Sequence, residues 1–187
     1  MIQIKHRRQF PELFDSMNLK VGAEVGVYKG DFSKHILENS NVTTLYSIDP
    51  WKNEEDLPIQ ELINICKDKL LPFAERSVIV ISPSLEAVNM FEDNQLDFVY
   101  IDADHRYQGV KNDLIAWWTK VKTGGVFAGH DYSKRGKGIV PEQAKDSNRG
   151  RKGVIQAVDE FVAQHHLSLN LTGEKCKSWW IVKPRQG

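Results

Sequence analysis

The stretch Val21-Gly22-Ala23-Glu24-Val25-Gly26-Val27-Tyr28-Lys29-Gly30 decides how the rest of the chain is read. A short strand-like run, Val21 to Val27, gives way to two glycines four residues apart, Gly26 and Gly30. Phe32, Ile36 and Leu37 then follow at helical spacing. Lacking Cβ, Gly26 lets a ligand approach the backbone closely, and Gly30 permits a tight entry to the helix. Dinucleotide binders space their glycines as G-x-G-x-x-G, which this stretch does not do, so a pyrophosphate cradle is disfavoured.

Outward from this stretch, apolar segments alternate in type. Before it, Phe10, Leu13, Phe14 and Met17 place an amphipathic helix within residues 1–20. After it, Thr43 to Ile48 reads as a strand that stops at Asp49-Pro50, and Ile59, Leu62, Ile63, Cys66 and Leu70 mark a helix. Val78 to Ile81 is a buried-type strand closed by Ser82-Pro83, and Leu85, Val88 and Phe91 give a short helix. Leu96 to Ile101 is a strand ending at Asp102. Val110, Leu114, Trp117, Trp118 and Val121 form the most regular amphipathic helix, broken by Gly124-Gly125. Val126 to Ala128 starts a strand that runs to His130-Asp131. Val154, Ile155, Val158, Phe161 and Val162 form a last long helix, and Leu167 to Leu171 and Trp179 to Val182 form a closing hairpin around Thr172-Gly173. Strand then helix, repeated five times, predicts one α/β domain over residues 1–187, with a parallel sheet covered on both faces. Such sheets place their sites at the carboxyl ends of the strands, here Gly26, Asp49, Ser82, Asp102 and Asp131.

Composition bounds the function classes. The 187 residues are 41% hydrophobic and 27% charged, and 25 Lys and Arg balance 25 Asp and Glu. That balance leaves no global basic field, so nucleic acid and membrane surfaces are not expected as partners. The longest aliphatic run, Val78 to Ile81, is far too short to span a bilayer. The basic start Lys5-His6-Arg7-Arg8 has no apolar segment behind it, so no signal peptide is expected. Cys66 and Cys176 form neither a disulfide framework nor a CxxC pair, which suits a reduced, cytoplasmic protein. Residues 132–152 lack periodicity and are rich in Lys, Arg and Gly, which reads either as a basic lid over a site or as a solvated insertion.

The strand-end residues carry chemistry on their own. Glu24 offers a carboxylate to a cationic ligand. Asp49 is placed to take both hydroxyls of a ribose, or merely closes an Asp-Pro turn. Trp51 stacks on a ligand or fills the core. Ser82 and Ser84 contact a purine or cap a helix.

Together these positions resemble the class I S-adenosylmethionine (SAM)-dependent methyltransferases, from Val21 to Val182. Glu24-x-Gly26-x-x-x-Gly30 matches that family's first motif, with Asp49 at its ribose-binding acid. Asp97-Phe98-Val99-Tyr100-Ile101-Asp102-Ala103-Asp104-His105-Arg106-Tyr107, with Asp113, Trp117-Trp118, Gly124-Gly125 and Gly129-His130-Asp131-Tyr132, is more specific. It resembles the small-molecule O-methyltransferase branch, in which macrocin O-methyltransferase and cephalosporin hydroxylase-like sequences stand beside the catechol type. The resemblance implies a Rossmann-like, doubly wound, seven-stranded and mostly parallel sheet whose C-terminal hairpin supplies one antiparallel strand. It implies SAM across the ends of the first four strands, held by Glu24, Gly26, Gly30, Asp49, Trp51, Ser82 and Ser84. It implies Asp102 and Asp131 as ligands of Mg²⁺ or another divalent metal, with His105 at the position of the branch's basic residue, a base of near-neutral pKa beside Asp102 in catalysis. The usual third oxygen ligand is missing: His130 precedes Asp131 and Tyr132 follows it. His130 is the candidate in its place, although histidine prefers softer metals. The expected acceptor is a hydroxyl on a small molecule or sugar, anionic if the basic loop covers it, and a homodimer is a further expectation. A non-catalytic SAM-binding or scaffold protein and a nucleotide-cofactor oxidoreductase are the other readings.

Overall fold

The computed structural model describes residues 3–52, 57–133 and 151–185. At its centre lies β1 (Val21–Val25), paired in parallel with β2 (Thr44–Asp49) on one side and β4 (Leu96–Ile101) on the other. β3 (Ser77–Ile81) adds in parallel beyond β2, and β5 (Val121–Tyr132) beyond β4. β7 (Lys177–Val182) runs antiparallel to β5 and to the outermost strand, β6 (Asn170–Leu171). The order β3-β2-β1-β4-β5-β7-β6 reverses direction from β1 to β4, which opens a crevice at their carboxyl ends. This is the expected Rossmann-like, mostly parallel seven-stranded sheet.

The central strands are buried on both faces, so their side chains feed two cores. On one face α1 (Phe10–Ser16), α2 (Asp31–Asn39) and α3 (Ile59–Leu70) pack Phe14, Ile36 and Leu62 against Leu45, Phe98 and Tyr100. Phe14 stacks on Phe98 with ring centroids 3.9 Å apart. On the other face, the short α4 (Ser84–Ala87) lies beside α5 (Tyr107–Trp118) and α6 (Arg151–Gln164). Leu114, Trp117, Val158 and Phe161 there cover Val99, Ile101 and Phe127. Among the described residues no helix is long and apolar enough to cross a membrane.

Two boundaries differ from the sequence expectation. Val121 does not end the helix but opens β5 opposite Leu96; the register then shifts, and Phe98 pairs with Val126. Apolar spacing alone could not separate a last helical turn from a first strand residue, because both bury the side chain. The strand read from Leu167 is only Asn170–Leu171, since just those residues pair with β7. Of the expected loop, residues 134–150 lie outside the described residues.

Asp97 ties the starts of three strands together. Its Oδ2 accepts from the N–H of Lys20 (2.7 Å) and of Val21 (2.8 Å), and its Oδ1 accepts from Lys122 Nζ (2.7 Å). Burial works against the charge, but these donors hold its pKa below the ordinary 3.8. Its contribution is therefore present at neutral pH and lost as the pH falls below that value. Asp97→Ala is expected to lower stability by about 1–3 kcal/mol, read in urea unfolding as a lower midpoint at unchanged slope.

Candidate functional site

The turn after β1 is built by a carboxylate at the end of β2. Asp49 Oδ2 accepts from the N–H of Val27 (2.8 Å) and Tyr28 (2.8 Å), and Oδ1 accepts from the N–H of Trp51 (2.7 Å). Tyr28 and Trp51 stand at φ +52° and +45°, a region non-glycine residues seldom enter, and these bonds hold them there. Gly26 turns at φ +91°, and Gly30 at φ +78° precedes α2. A Cβ at Gly26 would lie 2.2 Å from the carbonyl oxygen of Asp102, so its bareness is required by the contact of β1 with the end of β4, at a position that also lines the cleft. At Gly30 a Cβ would press on Cys66 Sγ at 3.1 Å.

These ends open onto a cleft of about 1320 Å³, lined by Gly26, Asp49, Ser84, Asp102 and Asp113 among others. Ser84 lines it as part of a relay: Trp117 Nε1 donates to Ser84 Oγ (2.8 Å), which donates to Asp113 Oδ1 (2.5 Å). Neither serine caps a helix. Pro83 is the residue before α4, and among the described residues Ser82 Oγ reaches only the carbonyl of Pro83, at 3.3 Å. Trp51 is wholly buried with its Nε1 donating to the Tyr28 carbonyl, so of its two readings the structure takes the core one.

Glu24 also departs from expectation. It is buried beneath the turn, accepts from Ser33 Oγ, and does not line the cleft. Burial pushes its carboxyl up to about 8, with Arg7 and Ser33 working against that. The cation it meets is internal: Arg7 Nη2 lies 3.7 Å from Glu24 Oε1 and 2.9 Å from Asp102 Oδ2. Arg7 was read only as part of a basic terminus. A lone arginine in a polar run gives no periodic signal, and only the fold brings it under β1 and β4.

Beyond Asp102 lies a second cluster. His105 Nε2 is 2.8 Å from Asp131 Oδ2 and 3.6 Å from Asp102 Oδ1. His130 Nδ1 stands 3.8 Å from each of the same two oxygens, and Cys176 Sγ donates to Asp131 Oδ1 at 2.9 Å. So the pair Asp102 and His105 after β4 and the pair His130 and Asp131 at the end of β5 do converge. The hydrogen bonds to Asp102 and Asp131 raise His105 to about 10, not the near-neutral value expected of it. Burial opposes ionisation of Asp131, yet bonds from His105, His130 and Cys176 hold it well below the carboxylate range. Tyr132 turns its hydroxyl away, to Asp159 Oδ1 at 2.6 Å.

Residues 23–132 match the family described as "Methyltransferase domain", and the chain belongs to that family. The fold is similar to that of an O-methyltransferase from Bacillus cereus in complex with SAH, with TM-score 0.71 and 13% identity over 98% of this chain and 83% of that one. It is also similar to a protein from Corynebacterium glutamicum (TM-score 0.71, 16% identity, 97% of this chain and 81% of that one). A methyltransferase from Geobacter sulfurreducens is a third likeness (TM-score 0.65, 9% identity, 99% and 81%). Among curated proteins none matches this sequence.

Asp113 in the cleft wall yields a pH signature. Burial pushes it up to about 6, the Ser84 hydroxyl working against this. Between its unfolded value near 4 and that folded value, the folded state keeps a proton that the unfolded state has released, so this group costs stability as the pH rises. Asp113→Asn is expected to equal the wild type in acid and to exceed it at pH 7 by about 1–3 kcal/mol. Urea midpoints measured across this pH range check it, and parallel profiles would refute it.

Proposed function

We propose that the protein transfers a methyl group from SAM to a hydroxyl oxygen on a small molecule or sugar. The observation that carries the reading is the cleft itself, acceptor-rich at its strand ends and continuous through Asp102 with the histidine–carboxylate cluster. SAM is rich in donors: an adenine amino group, two ribose hydroxyls and an ammonium. Carboxylates at Asp49, Asp102 and Asp113 line the cleft to receive them. Asp49 already accepts three backbone N–H bonds, and a carboxylate has about four lone-pair sites, so it takes one ribose hydroxyl rather than both.

Bound SAM supplies an electrophilic methyl on a sulfonium. The chain's own residues then position the acceptor oxygen in line with that methyl, and positioning is the larger part of catalysis. As the oxygen–carbon bond forms and the carbon–sulfur bond breaks, the hydroxyl proton passes to Asp102 Oδ1, the oxygen that Arg7 leaves open, and from there to water. His105, held protonated between the two carboxylates, fixes their orientation. The surplus of Lys and Arg in residues 134–152 favours an anionic acceptor.

A divalent ion is the remaining part of the expectation, and the donor set does not fit Mg²⁺. Asp102 Oδ2 is engaged by a guanidinium, Asp131 Oδ2 by His105 and Asp131 Oδ1 by Cys176. The remaining close donors are imidazoles, and Mg²⁺ wants oxygen in near-octahedral array.

Isothermal titration with SAM tests the first half of the reading. Asp49→Ala is expected to weaken binding by about 1–3 kcal/mol. Labelled SAM offered with a panel of phenols, sugars and sugar acids tests the second. His105→Gln is expected to keep SAM affinity and to lose transfer by about 10²–10⁴-fold. Binding of NAD with none of SAM would sink the reading, and SAM binding with no transfer to any hydroxyl would favour a non-catalytic role.

A further inference from the structure

Arg7 reaches the site from a segment outside the sheet. Residues before α1 form one turn of 3-10 helix, Arg7–Gln9, closed by a reciprocal cap. Arg8 N–H donates to His6 Nδ1 (3.1 Å), and His6 N–H donates to Gln9 Oε1 (3.2 Å). Glu174, past β6, fastens this turn from the far side. Its Oε1 accepts from the Arg7 N–H at 2.7 Å, and its Oε2 lies 3.1 Å from His6 Nε2. The Arg7 side chain then runs inward over the rings of Phe32 (4.0 Å) and Tyr100 (5.0 Å) to Asp102. Its Nε is buried with no hydrogen-bond partner among the described residues. A buried, unpaired N–H is costly, so the placement of this guanidinium is over-determined by its other contacts.

A guanidinium is charged at every accessible pH and cannot leave as a proton donor would. It sits on one oxygen of Asp102, while the other oxygen faces Asp131 across the two histidines. A dication bridging Asp102 Oδ1 and Asp131 Oδ2 would stand a few ångströms from that fixed charge, in a partly buried place where repulsion is poorly screened. Lysine or water at this position would yield; a stacked and strapped arginine does not.

We propose that Arg7 is the resident cation of this site: it supplies the positive charge that a divalent ion would otherwise bring to Asp102 and Asp131, orients Asp102 toward the acceptor, and keeps hard dications out. It is a positioning residue, acting through Asp102. The inference rests on the methyltransferase reading only for what Asp102 does, and its test does not need SAM.

The test is titration of the purified protein with Mn²⁺, followed by electron paramagnetic resonance of the free ion, and with Mg²⁺ by calorimetry. Wild type is expected to bind neither ion at millimolar concentration, and Arg7→Lys, which lacks the stacked guanidinium, to bind more tightly than wild type and more weakly than Arg7→Met. Arg7→Met is expected to bind Mn²⁺ at least about tenfold more tightly than wild type, because the repulsion has gone. That gain is expected to vanish in Arg7→Met with Asp131→Asn. A merely structural role for Arg7 would lower the melting temperature and leave metal affinity unchanged. Wild-type uptake of either ion that is lost in Asp102→Asn would overturn the proposal. So would a folded Arg7→Met that binds no metal. If Arg7→Met does not fold, Arg7→Gln carries the same arm, and the wild-type titration still decides whether the site takes a dication. SAM titrated in parallel reports on the methyltransferase reading alone.

Discussion

Everything at the strand ends depends on the Asp49 carboxylate taking three backbone N–H groups. Two of them belong to the turn after β1 and one to the residue two beyond Asp49 itself. A charged acceptor of this kind makes each bond stronger than an amide partner would. It holds two non-glycine residues at positive φ and so defines the turn that lines the cleft. The adjacent contact is equally tight: Gly26 N–H donates to the Ile48 carbonyl at 2.9 Å, and the Asp102 N–H donates to the Val25 carbonyl at 2.7 Å. Three neighbouring strands are thereby locked at the level where a ligand would sit. Asp49 is thus a scaffold residue that also lines the cleft, which its place after a strand and before a proline did not distinguish.

The order of strands and helices was legible because each segment has one dominant period and the glycine and proline punctuation agrees with it. The convergence of Asp102, His105 and Asp131 was legible because a parallel sheet puts successive strand ends side by side. Other features depend on what stands opposite a residue, and a single chain of letters does not carry that. Trp51 is core because the turn folds over it. Gly26 is bare because the end of β4 passes beside it. Val121 is strand because Leu96 pairs with it. Arg7 sits in a polar run whose composition is that of any solvated terminus, and only its buried partners single it out.

The site balances its own charge. Glu24 is pushed toward its neutral form by burial, leaving Asp102 and Asp131 to be met by Arg7 and the histidines. Such an arrangement costs desolvation, yet each buried ion has a partner within hydrogen-bond reach, the condition under which buried charges are tolerated. Under the proposed reading it also concentrates fixed dipoles and charges at one end of the cleft, where they need little reorganisation.

The strap from Glu174 to His6 and Arg7 joins the segment before β1 to the segment after β6. The Gly173 N–H donates to the Lys5 carbonyl at 2.8 Å, and Thr172 Oγ1 donates to Glu174 at 3.1 Å, so the link is made at the turn of the closing hairpin. The arginine precedes β1 and its anchor follows β6, 167 residues further on. A contact so distant in sequence is made late in folding, because the entropy of closing the intervening loop must first be offset by the sheet itself. The charge balance around Asp102 is therefore set only when both flanks of the sheet have come together, and a chain whose closing hairpin had not docked would leave the guanidinium without its strap.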